Sequence, residues 1–242
     1  MEEEEREMTL EEHLKELRSR LIVMLVAFAL AAVPGWFAAP PALEILLRPA
    51  QAAQLRFVYF TPGEIFGVYL RTALVLALII SSPVIVYEVL AFIWPGLRPG
   101  ERTFLKRMLL PGFLLLGGGI LTGYFLLLPG SLRFLSYFRL AQVEPTLSVG
   151  KYVGFVFSLI LPFAFLWEYP LLVYALARVG ILTPAFLRHL RKYAYVAILV
   201  LAALLTPSPD PISQVLLALP LVLLYEGSIH LSRWAIRARE RG

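Results

Sequence analysis

Acidic side chains in apolar surroundings are the first candidates for chemistry in this sequence of 242 residues. Glu168, in Phe-Leu-Trp-Glu-Tyr-Pro, lies ten residues before Arg178 inside a long apolar run, which corresponds to about 15 Å along a helix. A charge at that depth in a membrane is costly, so such a residue indicates function unless it makes a structural hydrogen bond to a neighbouring helix. Arg71, Glu88 and Glu226 lie nearer the ends of apolar runs, where interfacial pairing or a side chain extended towards water is a sufficient explanation.

Glu101 is unusual because it is the only acid in the basic segment 98–107. Its carboxylate could form a local salt bridge with Arg102 or Lys106, and surface pairs of that kind are common and weak. It could instead be presented to a basic ligand, because a guanidinium binds a planar carboxylate through two parallel hydrogen bonds. The residues alone leave both interpretations open. Phe92, just before this segment, is typical of an aromatic side chain at a membrane interface.

Signatures of soluble enzymes and of metal or cofactor sites are missing from the sequence. The chain has no cysteine, which excludes disulfides, thiolate ligands and cysteine nucleophiles. It has no Walker phosphate-binding loop, and its three histidines are isolated, without the paired spacing of a metal site. Three consecutive glycines, Gly117 to Gly119, lie within a predicted helix and indicate close packing or a bend. We therefore expect no catalytic group, no cofactor and no metal.

The composition identifies the surroundings that must position these residues. Hydrophobic residues make up 59% of the chain, charged residues make up 16%, and the mean hydropathy is +0.76. A soluble domain is roughly 45–50% apolar and about 25% charged. The excess predicts an all-α integral membrane protein with lipid as the solvent for most of the chain. The net charge of +5 then reflects basic residues retained in the cytoplasm and not a nucleic-acid partner.

Six apolar runs predict six transmembrane helices in a single membrane domain, 1–242. A bilayer core of about 30 Å needs about 20 helical residues. The fifth run is shorter than this, and the sixth is interrupted by Pro220 and carries Glu226 near its end, so we expect the last two spans to form a hairpin of short helices. Before the first run, a capping-box pattern at Thr9 and Glu12 and a stripe of leucines predict an amphipathic helix that leads directly into span one. The predicted segments are a cytoplasmic N-terminal segment 1–20, spans at about 21–39, 65–93, 105–130, 152–177, 193–205 and 212–231, and a basic cytoplasmic tail 232–242.

Lysine and arginine alternate along the chain in the way that six spans with both termini in the cytoplasm require. Of the 22 basic residues, 16 lie in the N-terminal segment, after the second span, after the fourth span and in the C-terminal tail. The sequence therefore predicts an N-in, C-in topology.

Several motifs, in order along the chain, resemble those of the TatC family, the largest subunit of the twin-arginine protein translocase. The N-terminal His13-Leu-Lys-Glu-Leu-Arg-Ser-Arg-Leu21 is similar to the family's H-L-x-E-L-R-x-R-L start. The similarity runs from about residue 9 to 226, nearly the whole chain. Its other segments are Ser82-Pro-Val-Ile-Val-Tyr87, Ala91-Phe-Ile-Trp-Pro95, Glu101-Arg102, Phe165-Leu-Trp-Glu-Tyr-Pro170, Thr206 to Pro220 and Tyr225-Glu226.

This resemblance implies a six-helix receptor and scaffold that is not an enzyme. Members of the family bind the twin-arginine signal peptides of folded precursors at the cytoplasmic face. They self-associate in a multimeric receptor complex with the single-span subunits TatA and TatB, and the proton-motive force drives transport. The implied location is the cytoplasmic membrane of a bacterium or archaeon, with both termini in the cytoplasm.

The resemblance also implies roles for individual residues. Glu168 and Gln214 match intramembrane polar positions that face a concave cavity and contact partner helices, whereas Pro49 and Asp210 match structural positions in external loops. Glu88 departs from the pattern, because some members have glutamine there. The signal-peptide site falls on two acids, one arginine and one aromatic residue, namely Glu16, Arg18, Phe92 and Glu101.

Two other functions compete with this interpretation. A secondary transporter or ion channel would use Glu168 as an intramembrane coupling site, but the two halves of the chain show no convincing repeat of interrupted helices. An intramembrane enzyme is disfavoured by the lack of paired acids, a histidine cluster or a nucleophile motif.

Overall fold

The computed structural model describes residues 10–53, 55–93, 99–137, 146–205 and 211–240. Within these ranges, five helical stretches are long and apolar enough to cross a membrane. The all-α membrane fold class is therefore confirmed. The five stretches are Glu11–Ala52, Pro62–Val89, Arg107–Phe134, Val149–Val179 and Gln214–Arg237.

The described parts of the chain form nine α-helices, one π-helical segment and two short strands. The helices are α1 (Leu10–Ala52), α2 (Pro62–Ile93), α3 (Pro99–Thr122), α4 (Leu128–Tyr137), α5 (Val149–Leu166), α6 (Tyr169–Val179), α7 (Pro184–His189), α8 (Arg191–Leu205) and α9 (Pro211–Glu240). The π-helical segment, Gly123–Leu127, joins α3 to α4. The strands are β1 (Arg56–Val58) and β2 (Thr146–Ser148).

The chain divides into two compact units, the first formed by Met1–Ala42 and Tyr69–Leu109 and the second by Leu43–Val68 and Leu110–Gly242. Small residues bring the helices of the first unit together, since a Cβ on Gly35 of α1 would lie 2.6 Å from the carbonyl oxygen of Ala73 in α2. In the second unit, α6, α7 and α9 enclose a cluster of buried apolar side chains. This cluster consists of Val173, Leu187, Tyr225 and Ile229.

The first helix is longer than the sequence predicted. The expected amphipathic helix and the span at 21–39 form one continuous helix that ends only at Ala52. Its sequence contains Pro34, Pro40, Pro41 and Pro49, which membrane helices tolerate because neighbouring groups satisfy the freed carbonyls. Pro49 therefore lies in the last turns of α1 and not in an external loop.

The predicted fourth span, 152–177, is interrupted. Helix α5 ends at Leu166, α6 begins at Tyr169, and Trp167 and Glu168 form a turn between them. Pro170 explains the interruption, because proline has no N–H to donate to the carbonyl of Leu166 and its ring clashes with that carbonyl. The proline was visible in the sequence and was the signal for this break.

The last two predicted spans have different lengths in the structure. Helix α8 has 15 residues, about 22 Å at 1.5 Å per residue, which is shorter than a bilayer core, as expected. The prediction that the sixth span is also short is wrong, because helix α9 has 30 residues and continues through Pro220 to Glu240, beyond the predicted end at 231. Pro220 is buried and does not end the helix.

A short parallel strand pair connects the segments before α2 and α5, with Arg56 opposite Thr146 and Val58 opposite Ser148. The carboxylate of Glu64, in the first turn of α2, accepts hydrogen bonds from Ser148 Oγ, from the N–H of Gly150 at 2.9 Å and from the N–H of Phe60 at 3.0 Å. Glu64 therefore joins the start of α2 to the start of α5. Neither the strands nor this role of Glu64 was predicted from the sequence.

Close packing at the glycine triplet is confirmed. A Cβ on Gly119 of α3 would lie 2.8 Å from Ala164 Cα and 2.8 Å from Trp167 Cβ, whereas a Cβ on Gly117 would meet nothing within 4 Å. Gly119 thus allows α3 to approach α5 closely, and Gly117 does not serve this contact.

The two glycines should respond in opposite ways to alanine. Gly119→Ala should lower the free energy of unfolding by about 1–3 kcal/mol, because the added methyl group overlaps backbone atoms of α5. Gly117→Ala should leave it unchanged or raise it by up to about 1 kcal/mol, because alanine is the better helix former. Thermal unfolding of the two purified variants in the same detergent compares them directly, and equal midpoints would contradict the assigned contact.

Candidate functional site

A three-residue ion cluster joins α1 to α2 within the first unit. Arg20 Nε and Nη2 both donate to Glu16 Oε1, at 3.1 and 2.8 Å, and Arg20 Nη1 donates to Glu88 Oε2 at 2.8 Å. The side chains are 25%, 19% and 13% exposed for Arg20, Glu16 and Glu88. Glu16 and Arg20 meet because they are one helical turn apart on α1, whereas Glu88 comes from α2.

The cluster carries one more negative charge than positive charge. Two carboxylates share one guanidinium, and Arg20 uses only one oxygen of Glu16. The other oxygen, Glu16 Oε2, is buried and has no hydrogen-bond partner among the described residues. A buried polar atom left without a partner costs about 1–3 kcal/mol. Within the described residues, Glu16 therefore has one carboxylate oxygen whose hydrogen-bonding capacity is unused.

An aromatic contact also joins α1 to α2 in this unit. The rings of His13 and Phe92 are stacked, with centroids 4.3 Å apart and planes 21° from parallel. Arg18 is exposed on α1. Three of the four predicted signal-peptide residues therefore lie on described parts of α1 and α2. Glu101 lies in the first turn of α3, and its side chain is outside the described residues.

Glu168 occupies the turn between α5 and α6. Its backbone carbonyl accepts hydrogen bonds from the N–H groups of Leu171 and Leu172 at 3.0 and 3.2 Å. Its half-buried carboxylate faces α3, where Oε2 lies 3.6 Å from the position of a Cβ on Gly112 and the carboxylate contacts the backbone of Leu116. The acid is thus placed at a helix interruption and not in the middle of a regular helix.

The other three predicted positions are dispersed. Gln214 Nε2 donates to the carbonyl of Leu199 at 3.0 Å, which ties α9 to α8, so Gln214 and Glu168 have separate partners. Pro49 is half-buried and lines a cavity with residues of α4. Asp210 lies outside the described residues.

Glu226 belongs to a second ion cluster, between α8 and α9. Its carboxylate accepts from Arg191 Nη2 at 2.5 Å and from the hydroxyl of Tyr195 at 2.7 Å. The neighbouring Tyr225 donates its hydroxyl to the carbonyl of Leu187 at 2.7 Å. The pairing expected of Glu226 is therefore observed. Both of its carboxylate oxygens have a donor, whereas Nε of Arg191 is buried without a hydrogen-bond partner among the described residues.

In these clusters, carboxylates accept hydrogen bonds from arginine side chains of the same chain and join helices. The clusters contain no nucleophile with an adjacent base, and within the described residues no group of three histidine, cysteine or acidic side chains could hold a metal ion.

Long apolar helices joined by a few polar clusters define a helical membrane protein with several spans. The model of the family described as Sec-independent protein translocase protein (TatC) matches residues 12–220. The chain belongs to the TatC family.

Individual relatives agree with this assignment over nearly the full length. A Sec-independent protein translocase protein TatC from Carboxydothermus hydrogenoformans is 37% identical over 231 residues, which cover 96% of this chain and 95% of the relative. The relative from Aquifex aeolicus is 37% identical over 237 residues, covering 96% and 98%. A crystal structure of the twin-arginine translocase receptor TatC matches with a TM-score of 0.80 and 37% identity, covering 93% of this chain and 99% of that one.

Membership in this family makes the protein a membrane component of Sec-independent protein translocation. Such a component transports proteins and is not an enzyme. The family assignment therefore favours protein translocation over the secondary-transporter, channel and intramembrane-enzyme interpretations.

Proposed function

We propose that the chain is the receptor for the twin-arginine signal peptides of folded precursors, and that Glu16 receives one of the two arginines. The supporting observation is the ion cluster of Glu16, Arg20 and Glu88. These three side chains together are net negative, and one oxygen of Glu16 is buried without a partner among the described residues. A guanidinium suits this oxygen, because it combines a fixed positive charge with several N–H donors.

The remaining residues of the proposed site have distinct roles. Glu88 is a second carboxylate bound to Arg20. Because Arg20 is shared between two carboxylates, it does not neutralise Glu16 completely. Phe92, held against His13, offers an aromatic surface beside the carboxylates. Glu101 takes the second arginine of the peptide, and Arg18 completes the site; these two assignments rest on the resemblance to the family's motifs.

Glu16→Gln should weaken the binding of a twin-arginine peptide about ten- to a hundred-fold, because a hydrogen bond to a charged group is worth about 1.5–3 kcal/mol. Glu101→Ala should act in the same direction. Binding of a fluorescent signal peptide to the purified protein measures both effects, and a twin-lysine peptide should bind the wild type weakly.

Glu11→Gln is the matched control, because Glu11 lies on the same helix and its side chain, 80% exposed, pairs only with the exposed Lys15 among the described residues. It should change affinity less than about twofold. Glu88→Gln should give an intermediate loss of about two- to five-fold, since it makes the cluster neutral but leaves Glu16 in place. Wild-type affinity in Glu16→Gln would reduce the cluster to a structural ion pair.

We further propose that the protein works in a multimeric complex with the single-span subunits TatA and TatB, driven by the proton-motive force. Glu168 and Gln214 are the polar positions proposed for contact with partner helices. The placement of Glu168 at a helix interruption supports this role, because a turn leaves room for a polar contact that a regular apolar helix does not provide. Pro49 and Asp210 are proposed as structural positions on the external side.

Glu168→Gln should retain insertion and peptide binding but reduce transport, because glutamine keeps hydrogen bonding without a charge. Glu168→Leu should reduce transport further, since it removes the polar group altogether. Transport of a twin-arginine precursor into membrane vesicles, measured at matched amounts of each variant, compares Glu168→Gln and Glu168→Leu with the wild type. Full transport by Glu168→Leu would remove this residue from the mechanism.

The proposed location is the cytoplasmic membrane, with both termini in the cytoplasm. The alternation of basic segments supports this orientation. It places the segment between β1 and α2 outside the cell and the segment between α6 and α7 inside.

The absence of cysteine from the sequence allows a direct test of orientation with single introduced cysteines. Tyr59→Cys and Ile181→Cys replace side chains that are 62% and 66% exposed in those two segments. A membrane-impermeant maleimide should label the Tyr59→Cys variant in intact cells and the Ile181→Cys variant only after permeabilisation. The opposite pattern would invert the topology.

A further inference from the structure

A cavity of about 350 Å³ lies in the second unit, between the carboxyl-terminal end of α1, the π-helical segment and α4. Its size is within the range of roughly 300–1,000 Å³ that is usual for ligand sites. Two arginines line it, Arg48 from α1 and Arg133 from α4. The rest of the lining is mainly apolar or aromatic and includes Pro49, Phe125, Pro129 and Leu132.

Both arginines are free to bind an anion. They are exposed, and neither makes an ion pair with a carboxylate among the described residues. Tyr124, which also lines the cavity, donates its hydroxyl to the carbonyl of Ile45 at 2.6 Å. None of the described residues that line the cavity is acidic, so the two arginines make its lining positive.

The two arginines also lie at the same membrane level. Arg48 is four residues from the end of the stretch Glu11–Ala52, and Arg133 is one residue from the end of Arg107–Phe134. A single intervening membrane helix, α2, separates these stretches, so their carboxyl-terminal ends emerge on the same side. Positions at the ends of membrane helices lie at the depth of lipid headgroups.

The π-helical segment shapes the cavity wall. It supplies Tyr124 and Phe125, whose rings are in an edge-to-face contact with centroids 4.9 Å apart. Phe125 is 70% exposed. π-Helical turns within α-helices are rare and occur frequently at functional sites.

From this arrangement we propose that the cavity binds an anionic phospholipid. The two guanidinium groups hold the phosphate, since arginine matches phosphate geometry through paired hydrogen bonds. The apolar side chains of α1 and α4 contact the first part of an acyl chain. The combination of two positive charges with an apolar wall favours an amphiphile over free phosphate, and a net negative headgroup over a zwitterionic one.

Native mass spectrometry of the full chain with equal amounts of phosphatidylglycerol and phosphatidylcholine tests the proposal. The wild type should retain more phosphatidylglycerol than phosphatidylcholine. In the double variant Arg48→Gln, Arg133→Gln, the ratio of retained phosphatidylglycerol to retained phosphatidylcholine should be about tenfold lower. The matched control is Arg237→Gln, which removes an exposed arginine of α9 outside the cavity lining and should keep the preference. The variant Arg48→Lys, Arg133→Lys retains both charges and should lose less than the glutamine pair.

A second variant tests the apolar part without changing charge. Ala52→Phe places a large side chain in the cavity lining and should reduce retention of both lipids, with an unchanged unfolding midpoint. Excess inorganic phosphate should not displace the lipid. An unchanged preference in the glutamine pair, an equal loss in Arg237→Gln, undiminished retention in Ala52→Phe or complete displacement by phosphate would each overturn the proposal.

Discussion

A charged side chain on a largely apolar helix needs polar partners, and in the described structure this requirement joins helices at three junctions. Arg20 draws a carboxylate of α1 and a carboxylate of α2 to one guanidinium. Glu226 of α9 is held by two donors of α8. Glu64 joins the start of α2 to the start of α5. Each charge is tolerated because it has partners from a second helix, so the same interactions that satisfy the charges also connect the helices.

Backbone groups obey the same constraint, which explains why proline has two different effects in this chain. In α1 and α9 the helix continues through proline, because the loss of one hydrogen bond is small beside the bonds that remain. At Pro170 the helix is interrupted, and the carbonyl of Glu168 instead accepts from Leu171 and Leu172. This interruption places Glu168, the acid within the fourth predicted span, in a turn. Pro170 and Glu168 therefore belong to one local structure.

Hydropathy and residue spacing predict the membrane class and the approximate positions of the long helices, because each is a property of one segment. The glycine triplet predicts close packing or a bend but does not identify α5 as the partner. Features that depend on two distant segments could not be predicted in this way. The pairing of Arg20 with Glu88, 68 residues away, requires the register between α1 and α2. The strand pair and the role of Glu64 require the loops before α2 and α5 to meet. The π-helical segment has no distinctive composition and was therefore missed.

The balance between charges and partners distinguishes structural clusters from binding sites, although all of them appear in the sequence as single charges near the ends of apolar runs. The carboxylates of Glu226 and Glu64 have donors for both oxygens, so an additional cation would gain little. Glu16 has a buried oxygen without a donor among the described residues, and the cluster of Glu16, Arg20 and Glu88 carries a net negative charge. Arg48 and Arg133 have the converse arrangement, because the described residues that line their cavity include no acid. A ligand of opposite charge would stabilise either excess charge. The two proposed ligands, a cationic peptide at Glu16 and an anionic headgroup at Arg48, therefore differ in charge because the two ends of α1 do.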